Sequence, residues 1–510
     1  MTAPDIATPD QSVVLAFLDE RARRRGGKRI DTHASIVFLE DDRVLKLKRA
    51  VRLPFLDYST LEKRKHACEE ELALNRRHAP QIYRRVVPIT RGADRPEIGG
   101  GGLAIEWAVE MARFDESKTF DHLARAGAIT PSLAEMLADV IRASHDQAER
   151  SNGLTWLPSI AKIIDRNTVK FRSQDTLAQD AVERLDRESH QRLAETRPLL
   201  QQRASRGLVR RCHGDAHLGN IVLIDDKPVQ FDAIEFDPAI ATTDILYDLA
   251  FPLMDLVHFN LNDAASRLLN RYLERSWDDC ADGLRPLPLF LSMRAAIRSH
   301  VLFTRCEQQR DDVESAGAAR SYFDLALRHL EPVRPSLVAI GGKSGTGKSL
   351  LARDIAAKIA PSPGAVILRS DVIRKQLFGV DPLMRLPQAA YAPEVTARAY
   401  RMLIERARRI VADGFSVIVD AAYLHEAERA DLAGEARELD ADFRPLFLDA
   451  ALAIRLARIG SRKGDASDAT ADVAALQEDY DLGRLDWPRI DASGSPAETL
   501  RRSLAQLRSR

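Results

Sequence analysis

The run His213-Gly214-Asp215-Ala216-His217-Leu218-Gly219-Asn220, with Asp232 beyond it, decides how this chain is read. Two short apolar strands are predicted between Asn220 and Asp232, Ile221 to Leu223 and Val229 to Phe231, with Asp225-Asp226-Lys227-Pro228 as the turn. A hairpin of that form puts Asn220 at the start of one strand and Asp232 at the end of the other, so both side chains can face one metal ion. A carboxylate and an amide oxygen are hard donors of the kind magnesium takes. A loop histidine with a few turn acids is the plain alternative. An eight-residue run with an acid trailing it in this way is hard to reach by chance.

An Asp, an Asn five residues later and a second Asp beyond a strand pair form the acidic kit of the protein-kinase fold. In that kit Asp215 accepts a hydrogen bond from the substrate hydroxyl and turns its oxygen toward the γ-phosphate, while Asn220 and Asp232 hold Mg2+ ions that bridge the phosphates. The run also resembles the signature His-Gly-Asp-x-His-x-x-Asn of aminoglycoside-phosphotransferase-like kinases. Gly214 stands where protein kinases carry an Arg that reads a phosphorylated activation loop. The resemblance therefore implies a small-molecule kinase without that switch.

Composition bounds the rest. The chain has 510 residues, enough for two to four domains, and 45% of them are apolar, enough for sizeable cores. Charged residues make up 29%, with net charge +0 and a pI near 7.2, which gives no global reason to expect nucleic acid or an anionic membrane as partner. Cys68, Cys212, Cys280 and Cys306 are scattered, with no pair at zinc-site spacing and no disulfide framework. Cys212 reads as a buried strand residue rather than a nucleophile. No apolar run approaches the roughly 20 residues of a transmembrane helix. Met1 to Gln11 is polar and lacks a signal-peptide core, so a cytoplasmic protein is expected.

Upstream of the central run, Ser12 to Arg24 has helical periodicity. Ile30 to Leu39 and Arg43 to Lys48 alternate like the two strands of a hairpin. In a kinase this hairpin covers the nucleotide. It lacks the glycine-rich loop of protein kinases, so Thr32, His33 and Ser35 would supply the phosphate-facing turn. Lys46 or Lys48 is expected to grip the α- and β-phosphates. The two share a strand face, and Lys46 is preferred because Val44-Leu45-Lys46 sits closest to the family's strand pattern. Ser59 to His78 reads as a charged helix that offers Glu69, Glu70 and Glu71 to pin that lysine, with Glu71 favoured. Strands follow at Gln81 to Ile89 and Leu103 to Met111, and the adenine is expected at the backbone of Glu110 to Ala112.

From Thr119 to about Leu200 the pattern is mostly helical, and it is here that kinases of this kind build the acceptor pocket. His145 reads as a surface or cap histidine. Past Asp232, Glu235 and Asp237 either join the site or serve structure, Asp237 as a helix cap. Asp244-Ile245-Leu246-Tyr247-Asp248-Leu249-Ala250 matches a family segment whose carboxylates brace the catalytic loop. Leu253 to Leu330 is again mostly helical.

Glu331-Pro332-Val333-Arg334-Pro335 reads as a linker, and a second motif set follows it. The buried strand Leu337 to Ile340 runs into Gly342-Lys343-Ser344-Gly345-Thr346-Gly347-Lys348-Ser349 and a helix. This is the phosphate-binding loop Gly-x-x-x-x-Gly-Lys-Ser in the strand–helix context it requires. Its glycines let backbone N–H groups wrap phosphates, Lys348 adds charge and Ser349 ligates Mg2+. The helix behind it points its positive end at the anion. Ser416 to Asp420 is an apolar strand ending in an acid, and Asp420 is the candidate for Mg2+ or its water.

Ser370-Asp371-Val372-Ile373-Arg374 follows the strand Ala365 to Leu368. In small P-loop kinases such a segment presents an acid to the acceptor hydroxyl, which makes Asp371 the candidate base and Arg374 a clamp. An N-cap Asp with a surface Arg is the plain alternative. Leu446 to Ala450 is a fourth strand. The helix and Gly/Ser/Asp-rich loop after it, with Arg455, Arg458 and Arg462, resemble a kinase lid. Arg458 and Arg462 are the picks for neutralising charge on the transferring phosphoryl. Ile490-Asp491 reads as a last strand and Pro496 to Leu507 as a closing helix. Five strands alternating with helices imply a parallel sheet.

Nearly the whole chain resembles bacterial fusions of an aminoglycoside-phosphotransferase-like domain with a P-loop kinase. The expected fold class is α+β and α/β: a protein-kinase-like bilobal domain over 1–332, then a P-loop NTPase domain with a parallel sheet over 336–510. The expected function is ATP-dependent phosphorylation of small-molecule hydroxyls, with one Mg-ATP site in each domain. One alternative makes the P-loop half a nucleotide-dependent regulator of a single kinase. Another makes it a polynucleotide-kinase-like end kinase, against which the neutral charge balance and the lack of an aromatic-basic stripe argue.

Overall fold

The computed structural model describes residues 11–32, 34–53, 56–153, 155–308, 313–462 and 464–508. His33 and residues 1–10, which carry two of the sequence expectations, lie outside these. The chain forms two compact units. One runs up to Ile129 and adds Asp139–Ile163 and Arg197–Asp255; the other comprises Thr130–Ala138, Ile164–Thr196 and Leu256–Arg510.

The first unit is built on a six-stranded antiparallel sheet of β1 (Lys28–Asp31), β2 (Ser35–Leu39), β3 (Arg43–Lys48), β4 (Tyr83–Arg91), β5 (Pro96–Ile98) and β6 (Ala104–Ala112). Its strand order is β1-β2-β3-β6-β4-β5. The run Ile30 to Leu39, expected as one strand, is two. It breaks because the Thr32 hydroxyl accepts the Ser35 amide at 2.9 Å and the Thr32 amide bonds the Ser35 carbonyl at 2.9 Å, a local turn that competes with the ladder.

The period of two in β3 sorts its side chains by face. Leu45 and Leu47 pack with Val14 and Leu18 of the helix Ser12–Arg24, and Val44 packs with Cys68 of the helix Leu61–Asn75. Lys46 and Lys48 therefore share the face of that second helix. Phe38 and Leu45 are fully buried, each stabilising the fold by on the order of 1.5–3 kcal/mol. Thr60 caps the helix Leu61–Asn75 by accepting the Lys63 amide, and Arg64 on it forms a buried ion pair with Glu106 of β6 at 2.9 Å.

The central hairpin forms from β7 (Ile221–Ile224) and β8 (Lys227–Gln230), with Ile221 opposite Gln230. Its turn is tighter than the sequence suggested. Asp225 and Asp226 both take positive φ, 48° and 57°, so the second strand starts at Lys227 and includes Pro228. Val222 and Val229 of the hairpin join the core around Cys68 and Met111.

The second unit holds a five-stranded parallel sheet of β9 (Ser336–Gly342), β10 (Val366–Arg369), β11 (Val417–Asp420), β12 (Asp442–Asp449) and β13 (Arg489–Asp491). The order is β10-β11-β9-β12-β13. Strand β9 is central, so the loop after it opens at the C-terminal edge of the sheet. Val338, Ile340, Ile418, Leu446 and Leu448 of the sheet close against Leu351 and Ile355 of the helix Lys348–Ala356.

The helix Asn262–Arg275 lies along the outer strand. Its Asn270 side chain donates to the Ala365 carbonyl at 3.1 Å and accepts the Ile367 amide at 2.7 Å, filling the ladder position of a missing strand. The helix Val313–Leu330 ends before Ser336, so the residues read as a linker lie between elements. The compact units divide the chain elsewhere and group Leu256–Leu330 with the residues after Ser336. No helix among the described residues is long and apolar enough to cross a membrane.

Candidate active sites

The first candidate site forms where the loop after the strand Val209–Arg211 meets the hairpin. Gly214 has φ 82°, and a Cβ there would meet the Ala241 backbone at 3.0 Å, so a side chain is excluded on two counts. The loop is held by its own backbone. The Gly214 amide donates to Asp248 at 2.8 Å, the Leu218 amide to Asp255 at 3.0 Å, and the Gly219 amide to the His217 ring at 3.0 Å. His213 Nε2 meets the Phe231 carbonyl at 2.9 Å.

His145, expected at the surface or as a cap, is buried with Nε2 3.2 Å from the second oxygen of Asp248. Sequence spacing could not show this, because the two residues are 103 positions apart.

Asn220 donates through Nδ2 to the Asp215 carbonyl at 2.9 Å and to its carboxylate at 3.2 Å. The Phe231 amide donates to the Asn220 carbonyl at 3.0 Å, so Asn220 and Asp232 stand side by side at the open end of the hairpin. Asp232 adopts φ 62°, a strained conformation for a non-glycine residue, and its amide bonds the Tyr83 hydroxyl oxygen at 3.1 Å. Lys46 reaches Asp232 at 2.5 Å and Glu71 at 2.8 Å. Lys48 meets the other oxygen of Glu71 at 2.6 Å and also pairs with Glu235.

Glu69 and Glu70 stay away from this network, in which the buried Glu71 takes both lysines. Desolvation disfavours each of these charges, yet their mutual attraction prevails. It holds Lys46 above its ordinary pKa and Glu71 and Asp232 below theirs, so all three are charged at neutral pH. Asp237 caps the short helix Pro238–Ala241 by accepting the Ala239 amide at 2.9 Å, while Glu235 joins the lysines. The sequence marked Glu235 only by its nearness to Asp232.

The second candidate site is the loop after β9. Gly345 and Gly347 take φ 84° and 94°, and a Cβ on Gly345 would lie 2.7 Å from the Arg455 carbonyl oxygen. Arg455 is buried, donates to the Ser344 carbonyl at 3.1 Å and pairs with Glu478, so it ties the loop to the turn Gln477–Asp479. Lys343 reaches that turn too, at 3.0 Å from Glu478. Lys348 donates to the carbonyls of Gly342 at 2.8 Å and Lys343 at 3.2 Å. Desolvation lowers its pKa against the pull of Asp420 and Asp371.

The Ser349 hydroxyl donates to Asp420 at 2.5 Å, and Arg369 stands 3.4 Å from the same carboxylate and 2.7 Å from Asp465. Desolvation raises the Asp371 pKa; Arg369 and Lys348 oppose the rise and Asp420 adds to it.

A cavity of about 1120 Å³ takes in the loop from Ser344 to Ser349 with Asp371, Arg374, Asp420, Arg458 and Arg462. That volume exceeds the roughly 300–1,000 Å³ of ordinary ligand pockets, leaving room for two small molecules at once. Arg374 lies over the Tyr391 ring at 4.8 Å and donates to the Ala390 carbonyl at 2.8 Å, so part of its guanidinium is committed to the fold. Arg458 donates to the Gly494 carbonyl at 2.8 Å, and Arg462 to that of Ser467 at 3.4 Å. The candidate metal ligands offer oxygens at both sites, Asn220 and Asp232 in one and Ser349 and Asp420 in the other. This chemistry fits Mg2+ rather than a thiophilic metal.

Residues 32–285 match the phosphotransferase enzyme family, and residues 337–480 match an AAA domain family. Uncharacterized proteins of Mycobacterium tuberculosis and Mycobacterium bovis are 28% identical to the chain over 481 residues, covering 91% of this chain and 92% of each relative.

Among solved structures, a choline/ethanolamine kinase family protein from Mesorhizobium loti is 14% identical, covering 61% of this chain and 94% of its own, at a TM-score of 0.37. A gluconokinase from Sinorhizobium meliloti is 22% identical, covering 35% and 93%, at 0.25. The APS kinase of Mycobacterium tuberculosis is 23% identical, covering 35% and 100%, at 0.26.

The two family matches support a phosphotransferase with two kinase-like domains. A region similar to the phosphotransferase enzyme family is thus followed along the chain by one similar to an AAA domain family.

Proposed function

We propose that this chain transfers the γ-phosphoryl group of ATP to hydroxyl groups of small molecules at two centres, one in residues 1–332 and one in 336–510. A single observation carries the reading, because it recurs in both halves. A lysine shares the site with two carboxylates: Glu71 and Asp232 pair with Lys46, and Asp371 and Asp420 line the same cavity as Lys348.

In the first centre Lys46, pinned by Glu71, grips the α- and β-phosphates, and Asp215 accepts the proton of the acceptor hydroxyl as its oxygen bonds to phosphorus. Asn220 and Asp232 are the metal ligands. In the second, the backbone of Gly342 to Ser349 wraps the phosphates, Lys348 neutralises them, and Ser349 and Asp420 are the metal ligands. Asp371 takes the acceptor proton, a task its raised pKa suits. Arg374 orients the acceptor, and Arg458 and Arg462 offset charge on the group in flight. Mg2+, when bound, supplies charge neutralisation between the phosphates. The protein's own share is positioning and preorganised charge.

A second reading makes the P-loop half a nucleotide-driven regulator of one kinase. The bond between Asn270 and β10, the strand that leads into Asp371, supports it, since it ties a helix of the expected first domain to the P-loop sheet within one compact unit. One experiment tests both. The wild-type chain, Asp215→Ala and Lys348→Ala are each incubated with a metabolite pool and labelled ATP, and new phosphate esters are detected by mass. Two products, each lost in one variant, support two centres. One product merely rescaled by Lys348→Ala supports the regulator. No product at all in the wild type would sink both readings.

A further inference from the structure

A second cavity, of about 170 Å³, is walled by the helix Asn262–Arg275, strand β10 and the helices Lys348–Ala356 and Pro393–Ala412. Neither the P-loop motif nor the proposed reaction uses it. It could hold several waters at about 30 Å³ each, or one small anion. Six arginines line it, Arg267, Arg271, Arg275, Arg353, Arg369 and Arg406, against two acids, Glu135 and Glu274.

The pairing of these arginines is uneven. Arg275 has Asp381 at 2.9 Å and Arg369 has Asp465 at 2.7 Å. Arg267 stands 3.4 Å from both Glu135 and Asp354, and Arg353 reaches Asp465 at only 3.6 Å. Arg406 lies over the Trp277 ring at 4.6 Å. Desolvation and the neighbouring Arg369 pull the Arg353 pKa below its ordinary value, as expected of a cation short of negative charge.

Planar guanidinium forks converging from several elements are the arrangement that recognises phosphate by paired hydrogen bonds. We propose that this cavity binds a small phosphate-bearing anion, inorganic phosphate or a phosphomonoester, and that Arg369 carries its effect to the P-loop centre. Arg369 lies 3.4 Å from Asp420, which in turn holds the Ser349 hydroxyl. An anion in the cavity competes with Asp420 and Asp465 for this one guanidinium and loosens its hold on both.

The test uses the full chain. In the Lys348→Ala background, which weakens phosphate binding at the loop itself, sodium phosphate and glycerol phosphate are titrated at constant ionic strength against sodium chloride. The thermal midpoint is expected to rise by about 2–4 °C with at least one of them. Which anion acts identifies the source. Adding Arg353→Met or Arg271→Met should cut the rise to less than about half. No rise, or a rise that survives both substitutions, overturns the site.

Coupling is read separately, by calorimetric ATP binding to the chain with Lys348 intact. Phosphate should change the ATP Kd by about twofold or more, and Arg353→Met should abolish that change. An unchanged Kd, or a change that Arg353→Met leaves intact, overturns the coupling.

Discussion

Lys48 and Glu71 stand 2.6 Å apart with both side chains buried, and the same carboxylate also takes Lys46. One acid therefore bridges two ammonium groups, each of which has a second acid of its own, Asp232 or Glu235. Glu71→Gln should cost about 3 kcal/mol, because it takes from each of two buried cations one of its two counter-charges. Urea unfolding of the variant measures this, and a loss under about 1 kcal/mol would refute it.

The two lysines should separate by function. Lys46 also reaches Asp232, whereas Lys48 turns to Glu235. Lys46→Met is expected to lower kcat of the Asp215-dependent reaction about 10²-fold or more, on the scale of a lost charge-stabilising donor. Lys48→Met should chiefly lower stability. Equal losses of kcat in both variants would contradict the assignment.

The second centre should be acid-sensitive. A general base works only as the carboxylate, and the Asp371 pKa is raised, so activity is present above that pKa and lost as pH falls through it. The Lys348-dependent product should thus fade at a higher pH than an ordinary aspartate would allow. Asp371→Asn should flatten the profile at a level about 10²–10⁴ lower. A pH–rate profile of each product decides it.

Asp413 gives a stability test away from either site. Burial pushes its pKa up to about 6 against Arg409 and Arg285, and one of its oxygens has no hydrogen-bond partner. An acid with a raised folded pKa favours folding most below its ordinary pKa, and that advantage is lost as pH rises through about 6. Asp413→Asn should therefore raise the thermal midpoint at pH 8 and leave it nearly unchanged at pH 4. Calorimetry at the two pH values checks this, and equal shifts would contradict it.

The parts of this molecule that sequence made legible are local. The hairpin after Asn220, the loop Gly342 to Ser349 and the five parallel strands each follow from spacing within a few residues. What stayed hidden depends on distance along the chain. Lys48 and Glu235 are 187 residues apart and His145 and Asp248 are 103 apart, so no window of sequence could pair them. The break at Thr32 was legible in part, since Thr32, His33 and Ser35 read as a phosphate-facing loop although the predicted strand runs through them. The turn bonds between Thr32 and Ser35 set where the strand is interrupted.

The amide of Asn270 has a consequence for anyone who cuts the chain. It occupies backbone groups of Ala365 and Ile367 on the outermost parallel strand. A fragment beginning at Ser336 would lose that cover and present a bare row of N–H and C=O groups, a template for pairing with another molecule. Expressed alone, the P-loop half should self-associate or precipitate, and a soluble version would need the helix Asn262–Arg275 supplied with it.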